Sequence, residues 1–207
     1  TLGIIPYNPV LAIPTRHVFK EKPRDRFLTI AEIRIYYTTL LSSRVHKAKK
    51  LGIILSLLTM VRKTELITAK WENIDFENRM WLFPKTKADS KTGNSREMIV
   101  YLSSQMIEIL KDLKAMAGNE PYVFAGRKTG THIAHNTLNS AQKAALALTD
   151  VAHFTIHDLR RTASTHLNEK GFNRDAIEKC LNHTLGGVRG IYNKAEYADE
   201  RIKMMQA

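Results

Sequence analysis

The spacing of apolar residues in the first part of the chain predicts helices. Thr29 is followed three residues later by Glu32, a pairing typical of a capping box, and Leu28 is placed to pack back onto the helix that this box opens. We expect that helix to run to about Leu41. The segment KKLGIILSLLTM, residues 49–60, is apolar nearly all round, which predicts a helix buried at the centre of the domain.

The pattern then changes from a helical period to short apolar segments. VRKTELITAKW is predicted to continue helically, with Leu66 and Trp71 contacting the core. Three segments rich in aromatic and β-branched residues follow and predict a small antiparallel sheet: NIDF, MWLF and EMIVYL. Four more helices are predicted after the sheet: SSQMIEILKDLKAMAG, HNTLNSAQKAALAL, HDLRRTASTHLNEKG and NRDAIEKCL. The predicted fold class is mainly α with a small three-stranded antiparallel sheet (α+β).

The beginning of the chain differs from the rest. Residues 1–26 carry four prolines without a hydrophobic period and end in a charge-rich stretch. They predict a linker or arm that leads out of a preceding domain, so that residues 27–207 form one domain. Because the chain begins with Thr1 and not with methionine, we expect it to be a fragment of a longer protein.

Charge narrows the range of partners. The formal net charge is +12, an excess that points to a polyanion, most often nucleic acid. A membrane role is disfavoured because the longest apolar run, LGIILSLLTM, is too short to span a bilayer. The single cysteine, Cys180, allows neither a disulfide framework nor a thiolate metal site, which suits a reducing cytoplasm.

A cluster of cationic groups on one predicted helix is the first candidate for chemistry. In HDLRRTASTHL, His157 and Arg160 lie three residues apart and share neighbouring faces of the helix, whereas Arg161 lies further round. The apolar residues of the same helix should face the core: Ile156, Leu159, Ala163 and Leu167. Taken alone, the pattern fits a solvated basic face as well as a pocket for a phosphate.

The histidine and the arginine belong to a longer ordered series. Arg62 lies far upstream in VRKTEL, and lysines cluster in the polar loop between the second and third predicted strands. His183 follows His157 by 26 residues, and Tyr192 follows His183 by nine. This series of Arg, Lys, His-x-x-Arg, His and Tyr resembles that of the tyrosine recombinases, the phage-integrase family of site-specific DNA recombinases.

The resemblance covers nearly the whole chain. FLTIAEI is similar to the opening helix of the family's catalytic domain, and GIYNKAEYADERIKMMQA is similar to the tail of integrases carried by temperate phages and genomic islands. The resemblance implies that residues 1–26 are a linker from a core-binding domain and that residues 27–207 are the catalytic domain. It implies an enzyme of the bacterial cytoplasm, associated with the nucleoid, that integrates or excises a mobile element. That enzyme would cleave and rejoin DNA strands through a 3′-phosphotyrosyl intermediate, without a metal or another cofactor.

The resemblance also implies a role for each residue of the series. Arg62 and Arg160 would bind the two non-bridging oxygens of the scissile phosphate, because a guanidinium is planar, always charged and able to make two parallel hydrogen bonds. His183 would add a third donor. Tyr192 would attack phosphorus through its phenolic oxygen, and His157 is the candidate base that helps to deprotonate it.

Two of these assignments have alternatives. The lysine that protonates the leaving 5′-oxygen is assigned to Lys87, which lies nearer the strand that should anchor it, with Lys91 as the alternative. Tyr197 is the rival of Tyr192, although the nine-residue step favours Tyr192. Asn182 stands where many relatives have glycine, a departure that we expect to loosen the loop around it.

The resemblance further implies the partners. They are double-stranded DNA at attachment sites and three further copies of the chain, with the tail after Tyr192 packed on a neighbouring subunit. A host DNA-bending protein and a directionality factor are further candidates, and no membrane partner is expected. Two other functions share these features: a type IB topoisomerase, and a basic DNA-binding module whose pocket does not cut. Covalent chemistry is what separates the module from a recombinase.

Overall fold

The computed structural model describes residues 25–84, 97–183, 193 and 195–207. Within these residues the chain forms eight α-helices: α1 Ile30–Ser42, α2 Lys47–Thr59, α3 Lys63–Ile67, α4 Ser104–Ala117, α5 Thr137–Leu146, α6 Ile156–Glu169, α7 Arg174–Cys180 and α8 Ala198–Gln206. A short 3-10 helix and three strands lie between α3 and α4: Trp71–Asn73, then β1 Ile74–Asp75, β2 Met80–Phe83 and β3 Met98–Tyr101. The predicted fold class is confirmed. No helix in the described part of the chain is long and apolar enough to cross a membrane.

The sheet is antiparallel throughout, in the order β1-β2-β3. Trp81 in the central strand pairs with Ile74 on one side and with Val100 on the other. Trp81 and its partner Val100 are both fully buried. Cross-strand partners point to the same face of a sheet, so this face lies against the core. The predicted three strands are therefore present, and the long polar loop that joins β2 to β3 lies mostly outside the described residues.

Helix α2 lies at the centre of the helical part, as its apolar sequence predicts. It packs against α4, α5 and α6, and Leu55 in its middle is fully buried. At Gly52 the neighbouring elements approach so closely that a Cβ atom would lie 2.9 Å from the ring of Phe124 and 3.0 Å from Leu138. Helix α6, which carries part of the cationic cluster, is therefore held directly against the centre of the domain.

The predicted helical continuation after α2 is confirmed only for Lys63–Ile67, where Leu66 is fully buried, and it is interrupted at Met60. Met60 adopts a φ of 55°, in the left-handed region, so α2 ends at Thr59 and α3 begins only at Lys63. Non-glycine residues rarely adopt this region, and the burial of the Met60 side chain, which is 1% exposed, offsets the strain. Trp71 begins a separate 3-10 turn and packs only partly buried against the core, with the Lys114 ammonium 4.8 Å from the centre of its ring.

The C-terminal helix α8 packs on its own chain. It lies against α7 and β3, and Gln206 Oε1 accepts a hydrogen bond of 3.0 Å from the backbone N–H of Ser104 at the start of α4. Arg201 is 3% exposed, and its guanidinium donates to the backbone carbonyls of Ile99 and Glu196. The buried side chains of α8 find partners within this chain, and the expectation that the tail packs on a neighbouring subunit stays a prediction.

Candidate active site

The guanidinium of Arg160 lies at the centre of the site. It projects from α6 and is 5% exposed, with Nη1 donating to the carbonyl of Met60 and Nη2 to the carbonyl of Leu181. Nη2 also lies 3.2 Å from Nε2 of His183. Burial and then the charge of Arg62 lower the pKa of Arg160 to about 10, so the group stays charged at neutral pH in surroundings that disfavour the charge. A guanidinium has five N–H donors, so these contacts orient the group and leave other N–H donors for a ligand.

The first turn of α6 fixes the direction from which Arg160 enters the site. Asp158 is 2% exposed, and its carboxylate accepts hydrogen bonds of 2.8 Å from both the N–H and the hydroxyl of Thr155. These contacts complete a capping box. One turn further on, Oγ1 of Thr162 accepts a hydrogen bond of 3.0 Å from the backbone N–H of Leu28, which ties the start of the domain to α6. A helix fixed in this way preorganises a buried cation for an incoming anion.

A carboxylate orients the imidazole of His183. Its Nδ1 lies 2.8 Å from Oε2 of Glu178, while its Nε2 faces the guanidinium of Arg160. An ionised carboxylate only accepts hydrogen bonds, so Nδ1 donates to it and the orientation of the ring is set. The side chain of His183 is 46% exposed, so a ligand can reach the ring from solvent.

The turn between α7 and His183 requires a left-handed residue. Asn182 has a φ of 48°, and the turn is closed by two backbone hydrogen bonds of 3.0 Å, from Asn182 N–H to the Lys179 carbonyl and from His183 N–H to the Glu178 carbonyl. This is the Schellman arrangement, in which glycine is the common residue and asparagine the usual substitute. Asn182 thus adopts the conformation that glycine would supply here, and the expectation that asparagine loosens the following loop stays a prediction.

Arg62 is the N-cap residue of the short helix α3 and is held by the carboxylate of Glu65. Its backbone N–H donates to Oε2 of Glu65 at 2.6 Å, and its Nη1 lies 2.9 Å from Oε1 of the same carboxylate. The Arg62 side chain is 36% exposed, and its charge is close enough to Arg160 to lower the pKa of that residue. The left-handed turn at Met60 thus brings a backbone carbonyl and a second arginine to the same buried guanidinium.

His157 lies on the exposed side of the first turn of α6. Partial burial is the largest cause of a lowered pKa for its imidazole, followed by the charge of Arg160. Arg161 and Arg62 lower this pKa further, and the carboxylate of Asp158 opposes them. The imidazole is therefore neutral at physiological pH and able to accept a proton, as the predicted base must be.

Three residues of the predicted site lie outside the described part of the chain: Lys87, its alternative Lys91, and Tyr192. Tyr197, the rival of Tyr192, is described. Its hydroxyl accepts a hydrogen bond of 2.7 Å from Nδ2 of Asn193 and lies 3.4 Å from Oδ2 of Asp175. The hydroxyl of Tyr197 is thus hydrogen-bonded to Asn193 and lies beside Asp175 of α7.

The structure adds groups that the sequence analysis missed. Met60 and Leu181 contribute backbone carbonyls, which leave no signature in the pattern of side chains. Glu178 could have been indicated by one signal, an acid in the helix just before a candidate histidine. In the part of the chain that the structure describes, no group of three or more His, Cys, Asp or Glu side chains could hold a metal ion.

Two arginines and an imidazole, held from three separate segments, form a site suited to a tetrahedral oxyanion such as phosphate. The fold that carries this site is shared with solved recombinase structures. The integrase from mycobacterium phage Brujita has a TM-score of 0.65 at 20% identity, over 99% of this chain and 64% of that chain. The Tn1549 transposon integrase in complex with transposon right end DNA has a TM-score of 0.68 at 17% identity, over 97% of this chain and 71% of that chain. The fold is that of a tyrosine recombinase catalytic domain.

The sequence places the chain in a family. The model of the phage integrase family matches residues 26–199, and the chain belongs to that family. Prophage integrase IntA of Escherichia coli strain K12 is 33% identical over 202 residues, which are 94% of this chain and 47% of that protein. The integrase of Enterobacteria phage P4 is 34% identical over 169 residues, which are 76% of this chain and 38% of that protein. The chain spans about half the length, or less, of these relatives.

Proposed function

We propose that this chain is the catalytic part of a site-specific DNA recombinase that cleaves and rejoins DNA strands and so integrates or excises a mobile element. The observation that carries the proposal is the buried guanidinium of Arg160. It is oriented by two backbone carbonyls and surrounded by Arg62, His157 and His183, an arrangement that a phosphodiester would stabilise. Membership of the phage integrase family supports the same reaction.

In the proposed reaction the cations bind the scissile phosphate before any bond changes. Arg62 and Arg160 donate to the two non-bridging oxygens, on which negative charge increases in the transition state, and His183, protonated on both ring nitrogens, adds a donor through Nε2. Preorganisation matters because donors that are already in place need not reorganise during the reaction. Removal of one such donor costs about 10²- to 10³-fold in rate in comparable oxyanion sites.

The bonds then change at phosphorus. The phenolic oxygen of Tyr192 forms a bond to phosphorus while the bond to the 5′-oxygen breaks, which leaves a 3′-phosphotyrosyl link and a free 5′-hydroxyl. His157, with its lowered pKa, accepts the proton of the phenol. Lys87, or Lys91 in the same loop, gives a proton to the leaving oxygen. Because the link retains a phosphate ester, attack by a 5′-hydroxyl of another strand reverses the step and rejoins DNA.

The proposal is tested by trapping the covalent intermediate. Nicked suicide duplexes that cover the ends of the element encoding this chain would be incubated with the wild type, with Tyr192→Phe and with Tyr197→Phe. An SDS-resistant protein–DNA adduct is expected with the wild type and with Tyr197→Phe, and none with Tyr192→Phe. The matched pair of tyrosine variants separates the nucleophile from a neighbouring phenol.

Each other outcome has a meaning. An adduct that persists in Tyr192→Phe and disappears in Tyr197→Phe would move the nucleophile to Tyr197. The absence of any adduct, together with tight and salt-sensitive DNA binding, would overturn the enzyme proposal in favour of a DNA-binding module, since phosphate contacts alone account for such affinity. Multiple-turnover relaxation of supercoiled DNA without strand exchange would favour a topoisomerase.

The proposed partner is double-stranded attachment-site DNA. The net charge of +12 supports it, and the Tn1549 integrase with the same fold is in complex with DNA. We place residues 1–26 as a linker and residues 27–207 as the catalytic domain of an assembly of four copies on two sites. A host DNA-bending protein and a directionality factor are further proposed partners, and the proposed place of action is the bacterial cytoplasm.

A further inference from the structure

We propose that Asp175 is a positioning residue for the segment that carries Tyr192 and that it acts through Asn193. The inference rests on the proposed function, since it concerns the nucleophile of that reaction. Asp175 lies in the first turn of α7 and is 4% exposed. Its Oδ2 accepts a hydrogen bond of 2.8 Å from Nδ2 of Asn193. A buried carboxylate therefore holds the residue that is covalently next to Tyr192.

The amide of Asn193 is fixed at both ends. Its Nδ2 also lies 2.7 Å from the hydroxyl of Tyr197, and its Oδ1 accepts a hydrogen bond of 3.1 Å from the backbone N–H of Ala195. A side chain with three partners has little rotational freedom, so the backbone of Asn193 is held with it. Neighbouring Cα atoms in a chain are about 3.8 Å apart, which limits how far the nucleophile can lie from this anchor.

Helix α7 connects this anchor to the phosphate site. Asp175 and Glu178 are three residues apart on the same short helix, so they lie on neighbouring faces. Glu178 orients His183, and Asp175 holds Asn193. One rigid element thus sets both the imidazole that would contact the phosphate and the segment that would deliver the attacking oxygen. A displacement of about 1 Å between such groups can cost about 100-fold in rate.

A purely structural role makes a different prediction. The same cluster also holds α8, because Tyr197 begins that helix and its hydroxyl belongs to the group. If the cluster served the tail alone, Asn193→Ala and Tyr197→Phe would slow cleavage equally little. If Asp175 positions the nucleophile, Asn193→Ala slows cleavage much more, since Tyr197→Phe leaves the bond between Asn193 and Asp175 in place.

The test is single-turnover cleavage of a nicked suicide duplex at saturating protein, with DNA affinity measured in parallel. Asn193→Ala is expected to lower the cleavage rate by about 10- to 100-fold while the dissociation constant changes less than about twofold. The matched control is Asn168→Ala, which removes an exposed amide that donates to the carbonyl of Ser164 in the same helix. Wild-type rates are expected for this control.

A reciprocal exchange shows whether the two residues act together. Asp175→Asn removes the carboxylate, and Asn193→Asp places two carboxylates against each other. The double variant Asp175→Asn/Asn193→Asp restores one amide and one carboxylate and keeps the acceptor for Ala195. Asn193→Asp is expected to be slow, because two carboxylates then face each other. Asp175→Asn is expected to lose less, because its amide oxygen can still accept from Asn193, and the double variant is expected to recover most of the rate lost by Asn193→Asp. Such recovery does not follow from a general loss of stability.

Several results would overturn the inference. If the wild type forms its adduct through Tyr192 and Asn193→Ala cleaves at the wild-type rate, the positioning role is wrong and the recombinase function stands. If the double variant is as slow as the two single defects multiplied together, the pair is not coupled, and the role is again wrong. If the wild type forms no adduct with any substrate, the proposed function fails and this inference fails with it. Should Asp175→Asn not fold, the comparison of Asn193→Ala with Tyr197→Phe still decides.

Discussion

Arg160 and Arg201 are both almost fully buried, and both donate to backbone carbonyls, yet their surroundings differ. Around Arg201 the chain supplies varied partners. Its Nε lies 3.4 Å from Sγ of Cys180, its guanidinium lies 5.1 Å from the ring of Tyr101, and the carboxylate of Glu196 is 3.8 Å away. This arginine joins α8 to α7 and to the sheet, and its contacts need no ligand.

Arg160 lies instead beside a second arginine. Burial and Arg62 lower its pKa to about 10, and the two acids that oppose this shift are engaged elsewhere, Glu65 with Arg62 and Glu178 with the imidazole of His183. An incoming phosphate would offset the unfavourable charge. Burial of an arginine therefore does not by itself indicate an anion-binding site, whereas burial beside another cation does.

The largest loss of activity is expected from Arg160→Lys. One ammonium cannot reach both the carbonyls of Met60 and Leu181 and a phosphate oxygen in the planar arrangement of a guanidinium. We expect covalent adduct formation in single-turnover assays to fall by about 10²- to 10³-fold. Inorganic phosphate should also raise the unfolding temperature of the wild type, since a ligand that binds the folded state stabilises it, and this rise should shrink in the variant.

Normal cleavage by Arg160→Lys would contradict a role for Arg160 in binding phosphate. Equal stabilisation of wild type and variant by phosphate would contradict it too, because the anion would then bind elsewhere on a basic surface. Either result would leave Arg160 as a structural residue like Arg201.

The next effect in size is expected from Arg201→Lys, and it concerns stability. A lysine keeps the charge but cannot bond the carbonyls of Ile99 and Glu196 and the sulfur of Cys180 together. We expect a loss of about 1–3 kcal/mol in the free energy of unfolding, measured with urea, because buried acceptors lose their donor. The cleavage rate per folded molecule should stay within about tenfold of the wild type, in contrast to the Arg160 variant. A loss of cleavage without a loss of stability would contradict the structural role.

The fold was largely predictable from the sequence, because periodicity reports burial. The helix at α6 shows this clearly, since Ile156 and Leu159 are buried as their spacing predicts. The break at Met60 was not predictable, because methionine carries no signal for a left-handed conformation. The contacts of Arg201 hold α8 against this chain, whereas the packing of the tail on another subunit, which the resemblance implied, stays a prediction.

The site was predictable only in part. The resemblance gave an ordered series of residues, and the structure brings Arg62, Arg160 and His183 together. Among the groups that orient them, the backbone carbonyls have no sequence signature, whereas Glu178 is indicated only by its place in the helix just before a candidate histidine. Residue type alone does not distinguish the charged residues of the site from those of the solvated surface, whereas the contact distances in the structure do.

The smallest effect is expected on the pH dependence of stability, through the cations near His157. Its pKa is lowered, first by partial burial and then by Arg160, so between that lowered pKa and the ordinary value of about 6.5 the unfolded chain binds more protons than the folded one. Stability should therefore rise with pH through this window. His157→Gln should reduce the rise in unfolding free energy between about pH 5 and about pH 7, measured with urea.

An NMR titration of His157 in variants of the two buried arginines tests the same charges. If crowding by cations lowers the pKa, replacing Arg160 with an uncharged residue of similar length, as in Arg160→Met, should bring the His157 titration in NMR back towards its ordinary value. Arg201→Met should leave that titration unchanged, because Arg201 is not among the groups that act on His157. The pKa of His157 could instead have its ordinary value in the wild type, or it could change equally in both variants. Either result would mean that solvent screens the charge of Arg160 as fully as that of a surface cation. The buried arginine of α6 would then have no electrostatic need for a phosphate.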